Sequence, residues 1–171
     1  MSRAVVFLDI DGVCNHQRLY DARKASERPW PLASDWIDRE CVARVDHLCA
    51  RSWADVVISS SWRAYATIPG ASLGFWRGAA EVLQSCGLTA NVIGATPDHR
   101  TQAMRDAFEH APRWPEIAEW ITGHPWAEQW VIIDDCEMLG VPADRHVRTD
   151  IAVGLTDADA ERAIAILTRP E

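Results

Sequence analysis

Lysine is almost missing from this chain of 171 residues: Lys24 stands alone, and the other 16 of the 17 basic residues are arginines. Any cation that must hold a phosphate therefore has to be an arginine, which binds it as a planar fork. Positive charge is short as a whole. With 25 acidic residues the formal net charge is −8, which argues against a long nucleic-acid footprint, because duplex binding draws on clustered Lys and Arg to displace counterions. Binding a strand's end is not excluded. The five cysteines (Cys14, Cys41, Cys49, Cys86, Cys136) are odd in number, widely spaced and without a Cys-x-x-Cys pair, the pattern of a reduced cytosolic protein. No apolar run approaches the length of a membrane span, and nothing at the start reads as a signal peptide. A cytoplasmic protein with no membrane partner is expected. Repeats, low-complexity stretches and linkers are also absent, and 48% hydrophobic content can bury a sizeable core, so one domain over residues 1–171 is expected.

What is present is organised around the first hydrophobic run, Ala4-Val5-Val6-Phe7-Leu8, which ends in Asp9-Ile10-Asp11-Gly12-Val13. Five consecutive apolar residues bounded by a turn read as a strand buried on both faces, the kind found in parallel sheets. Ligands bind at the carboxyl ends of such strands, so Asp9 and Asp11 stand at the mouth of a site. Two like charges there ask for a metal or a proton-transfer role. A later strand, Trp130-Val131-Ile132-Ile133, ends in Asp134-Asp135, and another, Asp55-Val56-Val57-Ile58, ends in Ser59-Ser60-Ser61. Three strands finishing in oxygen-bearing side chains suit one Mg²⁺-phosphate site better than three unrelated turns.

The segments VVFLDIDGV (5–13), Val56 to Ser59, an Arg opening Arg113-Trp114-Pro115-Glu116-Ile117, and VIIDD (131–135) resemble, in order, the four motifs of the haloacid dehalogenase (HAD) superfamily of phosphatases. Within it, VVISSSWR, Gly94-Ala95-Thr96-Pro97, RWPEIAEWI (113–121) and TDIAVGLT (149–156) are most similar to small HAD domains of nucleic-acid repair, akin to the phosphatase half of polynucleotide kinase phosphatases. The resemblance implies an α/β three-layer sandwich with a mainly parallel, Rossmann-like sheet. The alternation of strand and helix points the same way. The insertions after the first two strands are short for a full cap domain, so a minimal cap and an open site are expected.

By the same resemblance Asp9 is the nucleophile that forms an aspartyl-phosphate and binds Mg²⁺. Asp11 is the general acid and base and gives its backbone carbonyl to the metal. Asp135 completes the metal ligands, with Asp134 bound directly, through water, or as an orienting neighbour. Hard oxygen ligands favour Mg²⁺ over zinc. Ser59, with Ser60 next, is the phosphate-binding hydroxyl. Arg113 is the cation that holds the phosphate, with Arg100 and Arg105 as fallbacks. Arg63 adds a second fork, and Trp62 or Trp30 can stack on a base.

Residues 14–31 show no convincing periodicity and read as a loop or hairpin over the site, whose Arg18, Arg23, Lys24 and Arg28 could meet a polyanionic substrate. Helical spacing follows over Leu32–Arg51 behind a Ser34 or Asp35 cap, over Ser72–Cys86 with Phe75 inward, weakly over Thr101–His110, and over Pro112–Thr122. Asn91–Gly94 and His146–Arg148 read as short strands, and Thr156 caps a final helix. Trp36, Trp53, Trp76, Trp120 and Trp130 are expected in the core.

The expected activity is Mg²⁺-dependent hydrolysis of a terminal phosphate on a nucleotide or nucleic acid, a 3′-phosphate first. The alternatives are a small-metabolite or mononucleotide phosphatase and a non-catalytic HAD-like binding module. Loss of Asp9 or Asp11 would mark the binding module, and both are present. A signalling receiver domain would need an early acid pair and a late Lys, and an Asp-x-Asp glycosyltransferase would leave Ser59 and Asp134-Asp135 unexplained.

Overall fold

The computed structural model describes residues 3–26, 29, 31–107 and 111–169. Five parallel strands, β1 (Ala4–Leu8), β2 (Ala54–Ile58), β3 (Val92–Ala95), β4 (Gln129–Asp134) and β5 (His146–Arg148), form one sheet in the order β3-β2-β1-β4-β5. β1, which ends at Leu8, thus lies between its two chemically equipped neighbours, β2 and β4. Side chains alternate across a strand, and here they divide into two cores. Val6, Leu8, Val56, Ile58, Val131 and Ile133 pack with residues of α2 (Arg39–Ser52), α3 (Phe75–Ser85) and α6 (Asp157–Leu167). Val5, Phe7, Val57 and Ile132 pack on the other face with Ile117 and Trp120 of α5 (Arg113–Gly123). The result is the three-layer α/β sandwich that the alternation predicts. Each fully buried aliphatic or Phe side chain of β1 contributes about 1.5–3 kcal/mol, so the centre of the sheet is a rigid base for whatever stands on its edge.

The register sets that edge. Leu8 pairs with both Ile58 and Ile133, so the three strands end level. One residue further, Ser59 N–H donates to Leu8 O at 2.8 Å, Asp9 N–H to Ile133 O at 3.0 Å, Thr96 N–H to Ile58 O at 3.0 Å, and Thr149 N–H to Asp134 O at 3.1 Å. Ser59, Asp9 and Asp134 thereby stand in one row, and the alternation turns them to the α5 face.

Several local expectations need correcting. Residues 14–31 are not a plain loop: α1 (Gln17–Ala25) is helical. Its side chains bury nothing, which is why no apolar stripe announces it. His16 Nδ1 accepts from Leu19 N–H at 3.2 Å, capping α1, while Nε2 meets Asp38 Oδ2 at 2.7 Å. Asp38 Oδ1 in turn accepts from Glu40 N–H and caps α2, so one His–Asp pair starts two helices. The expected helix over 32–51 is therefore two elements, a 3-10 turn Ala33–Trp36 and α2, and the cap is Asp38 rather than Ser34 or Asp35. Trp53 is 89% exposed at the left-handed end of α2, and Phe75 is exposed at the start of α3. Neither is core, because each sits at a helix terminus where its side chain leaves the buried stripe. Trp36, Trp76 and Trp130 are half-buried, and Trp120 is buried. The helix expected over 101–110 is α4 (Gln102–Asp106) as far as the described residues go. Arg28 and Trp30 lie outside the described residues. Among those residues all five cysteines are free thiols, and no helix is long and apolar enough to cross a membrane.

Candidate active site

Arg113 is the first residue of α5, and that position carries it over the strand ends. Its Nη2 lies 3.5 Å from Asp9 Oδ2 and its Nε 3.6 Å from Asp134 Oδ2. Only 15% of its side chain is exposed, against 6% for Asp9 and 1% for Asp134. One guanidinium thus bridges two buried carboxylates. Burial raises the Asp9 carboxyl above the usual carboxylate range, with Arg113 and a Ser60 hydroxyl contact working against it. Burial and the Asp9 charge push Asp134 up to about 7, and Arg113 again pulls the other way. One cation does not neutralise two acids packed this tightly, so the site is short of positive charge.

Asp134 and Asp135 are distinguishable by their surroundings. Asp134 Oδ1 accepts from Cys136 N–H at 2.8 Å, but its Oδ2 is buried with no hydrogen-bond partner. Asp135 is half-buried, takes a weak contact from the Cys136 thiol, and packs against the turn that follows Asp11. That turn needs its glycine: Gly12 has φ +76°, and a Cβ there would fall 2.6 Å from Asp135 Oδ2. The Gly12 carbonyl is fixed from behind by the buried Thr149 hydroxyl at 2.9 Å. A carboxylate oxygen that has no hydrogen bond and only the 3.6 Å ion pair with Arg113, a second buried carboxylate beside it and excess negative charge fit a small hard cation such as Mg²⁺. A softer ion would call for the nearby Cys136, whose thiol is pushed up to about 12 by burial and the two aspartates.

Asp11 is exposed and held by two donors. Asn15 Nδ2 reaches its Oδ1 at 2.7 Å, and Trp62 Nε1 reaches Oδ1 and Oδ2 at 3.2 and 3.1 Å. Asn15 also accepts from Gly12 N–H at 3.0 Å, which closes the loop on itself. Neither partner was apparent from sequence, although Asn four residues after an Asp in a turn is a recognisable local hydrogen-bonding signal.

A cavity of about 420 Å³ brings Asp9, Asp11, Arg113 and Asp135 together with Ser61. Ser59 stands in the strand-end row with its hydroxyl buried and unpartnered, while Ser60 accepts weakly from Trp62 N–H at 3.5 Å. Of the three serines it is Ser61, not singled out from sequence, that lines the cavity. Arg63 does not line it. Its guanidinium is spent in a buried ion pair with Glu116 at 2.5 Å and on the Ser60 and Pro97 carbonyls. Arg100 and Arg105 both pair with Asp98, which leaves Arg113 alone among the three arginines considered for the phosphate. Arg18 is exposed on α1, away from the cavity lining. Trp62 has its indole N–H on Asp11 and lines a neighbouring groove rather than this cavity. A larger cavity of about 780 Å³, between Arg77, Thr96 and Trp120, holds none of the paired acids of the strand ends.

Residues 5–160 match the family model described as the HAD domain in Swiss Army Knife RNA repair proteins. Neither a curated protein nor a solved structure matches the chain. The matched span takes in every residue of the strand-end row, Arg113 and the Asp11 loop, and with the all-parallel sheet it shows that the chain belongs to the HAD domains of Swiss Army Knife RNA repair proteins.

Proposed function

We propose that residues 1–171 form one Mg²⁺-dependent phosphomonoester hydrolase unit that works through a phosphoryl-Asp9 intermediate and acts on a terminal phosphate of a nucleic-acid strand, a 3′-phosphate first. Family membership supports the coarser statement, a phosphatase-type HAD domain associated with RNA repair. The observation that carries the finer one is Arg113 held between Asp9 and Asp134 at the ends of β1 and β4.

In this reading Asp9, Asp134 and the backbone at Asp11 hold Mg²⁺, with Asp135 shaping the turn beside them. We put Asp134 ahead of Asp135 as the direct ligand, the reverse of the order expected from sequence; the support is that its buried Oδ2 has no hydrogen bond. When bound, the ion supplies neutralising charge to the transferring phosphoryl group. Asp9 attacks phosphorus, the bond to the leaving oxygen breaks, and Asp11 gives that oxygen a proton. Asp11 then takes a proton from a water that attacks the phosphoryl-Asp9, releasing inorganic phosphate and the free carboxylate. Arg113 and the Ser61 hydroxyl hold the non-bridging oxygens, and the N-terminal end of α5 adds its partial positive charge.

The net charge of −8 favours a second reading, a phosphatase for mononucleotides or small metabolites. Phosphate release from a 3′-phosphorylated oligonucleotide, the matching 3′-mononucleotide and glycerol phosphate separates the two. A higher kcat/KM for the oligonucleotide, dependent on Mg²⁺, supports the strand-end reading. Equal values leave the small-molecule reading, and no release from any of them overturns both.

A further inference from the structure

Asp11 borders two cavities at once. On one side lies the acidic pocket with Asp9 and Arg113; on the other, a groove of about 400 Å³ runs between Tyr20 of α1, Leu32 and Tyr65. If Asp11 protonates the leaving oxygen, the group attached to that oxygen leaves on the side of Asp11, and this groove is where it continues. Among the described residues that line it, Asp11 is the only charged one. A phosphate or a second sugar-phosphate link therefore meets no cation among the described lining residues, whereas a flat uncharged ring finds aromatic walls. Tyr20 is 36% and Tyr65 47% exposed, and neither belongs to the two packed cores. The Tyr20 ring is backed by Trp36 at 5.1 Å between centroids, which fixes its plane. Trp62 also lines the groove, but its indole N–H is committed to Asp11.

We propose that this groove is the seat of the terminal nucleobase, stacked against Tyr20 and Tyr65, with its nucleoside bonded to the oxygen that Asp11 protonates. The volume holds one nucleoside rather than a run of strand. The lining combines four aromatic side chains with the hydroxyls of Tyr20, Tyr65 and Thr67, and stacking, which every base offers, carries the recognition. The proposal rests on the phosphatase reading for the place of the leaving oxygen, and it can fail separately from it.

The test is equilibrium binding to Asp9→Asn protein with Mg²⁺ present, using a 3′-phosphorylated trinucleotide and the same molecule lacking its terminal base. The expected result is about 10-fold weaker binding of the abasic ligand, within the range of base–aromatic stacking. Tyr20→Ala and Tyr65→Ala weaken the base-bearing ligand about 5-fold or more each and leave the abasic one unchanged, while Tyr20→Phe and Tyr65→Phe bind as before. Equal affinity for the two ligands, binding of neither, or alanine variants that weaken both alike would overturn the base seat. Phosphate release by the wild-type protein from glycerol phosphate reports on the hydrolase independently. Release without base preference leaves the hydrolase and removes the seat, whereas base preference without release does the opposite.

Discussion

The indole N–H of Trp62 reaches both carboxylate oxygens of Asp11, at 3.1 and 3.2 Å, from a 3-10 turn (Ser61–Ala64) that begins at the last of the serines after β2. A carboxylate gripped across both oxygens, with Asn15 on one of them at 2.7 Å, is restricted to one orientation, which is what a positioned proton donor requires. Trp62→Phe keeps the ring and removes the donor. Its kcat on glycerol phosphate, a poor leaving group, should drop about 10-fold, a fraction of the worth of a general acid. On an aryl phosphate with a good leaving group the drop should be much smaller. Equal losses on both substrates would show that Trp62 does not act through Asp11.

The contact between Gly12 and Asp135 gives a second expectation. Gly12→Ala must place a side chain at φ +76° and into the Asp135 carboxylate, so destabilisation of about 1 kcal/mol or more in urea unfolding is expected. The same reading of the two acids orders the alanine variants: Asp134→Ala should raise the Mg²⁺ concentration for half-maximal activity more than Asp135→Ala. The reverse order would return the direct ligand to Asp135.

Protonation of Asp134 ties stability to pH. Its carboxyl titrates at about 7 in the folded chain and near 3.9 when unfolded. Between those values the folded state binds the extra proton, so metal-free stability declines as pH rises from about 4 to beyond 7. Mg²⁺ takes the proton's place, so it should raise Tm more at pH 8 than at pH 5.5. Asp134→Asn should reduce that difference, leaving the part due to Asp9, whose carboxyl burial also raises. An equal Mg²⁺-dependent shift at both pH values would contradict the assignment.

Arg63 and Glu116 are 4% and 2% exposed. Glu116 also accepts from His99 N–H at 2.9 Å, which ties the segment after β3 to α5. Glu116→Ala leaves a buried guanidinium without its partner and should destabilise by about 3–5 kcal/mol. Replacing both residues with apolar ones, Arg63→Met with Glu116→Leu, should be far less destabilising than the single change. Thermal unfolding of the three proteins checks the order. A single variant as stable as the wild type would show that the pair does not hold α5 in place.

The parts of this molecule that depend on a period were legible in its sequence. The apolar runs ending in Asp9, Ser59 and Asp134 mark three buried parallel strands, and their level ends follow once they pair in register. Arg113 could be placed because it opens a helix leading into β4. What the sequence concealed are contacts between side chains far apart in the chain. Arg63 looks like a free fork until Glu116 is seen beside it, and nothing in the sequence announces that Asp11 takes the N–H of Trp62. α1 was hidden for a different reason: a helix that buries nothing leaves no apolar stripe, and its His16–Asp38 cap joins residues 22 apart.

The central claim is that Asp9 carries the phosphoryl group. Phosphate release from a 3′-phosphorylated oligonucleotide, followed with and without Mg²⁺ for the wild-type protein and for Asp9→Asn, tests it most directly. The amide has nearly the same shape, but it is neither a nucleophile nor an anionic ligand. The account predicts Mg²⁺-dependent release by the wild type and none above background by the variant. Release by Asp9→Asn at the wild-type rate would contradict it.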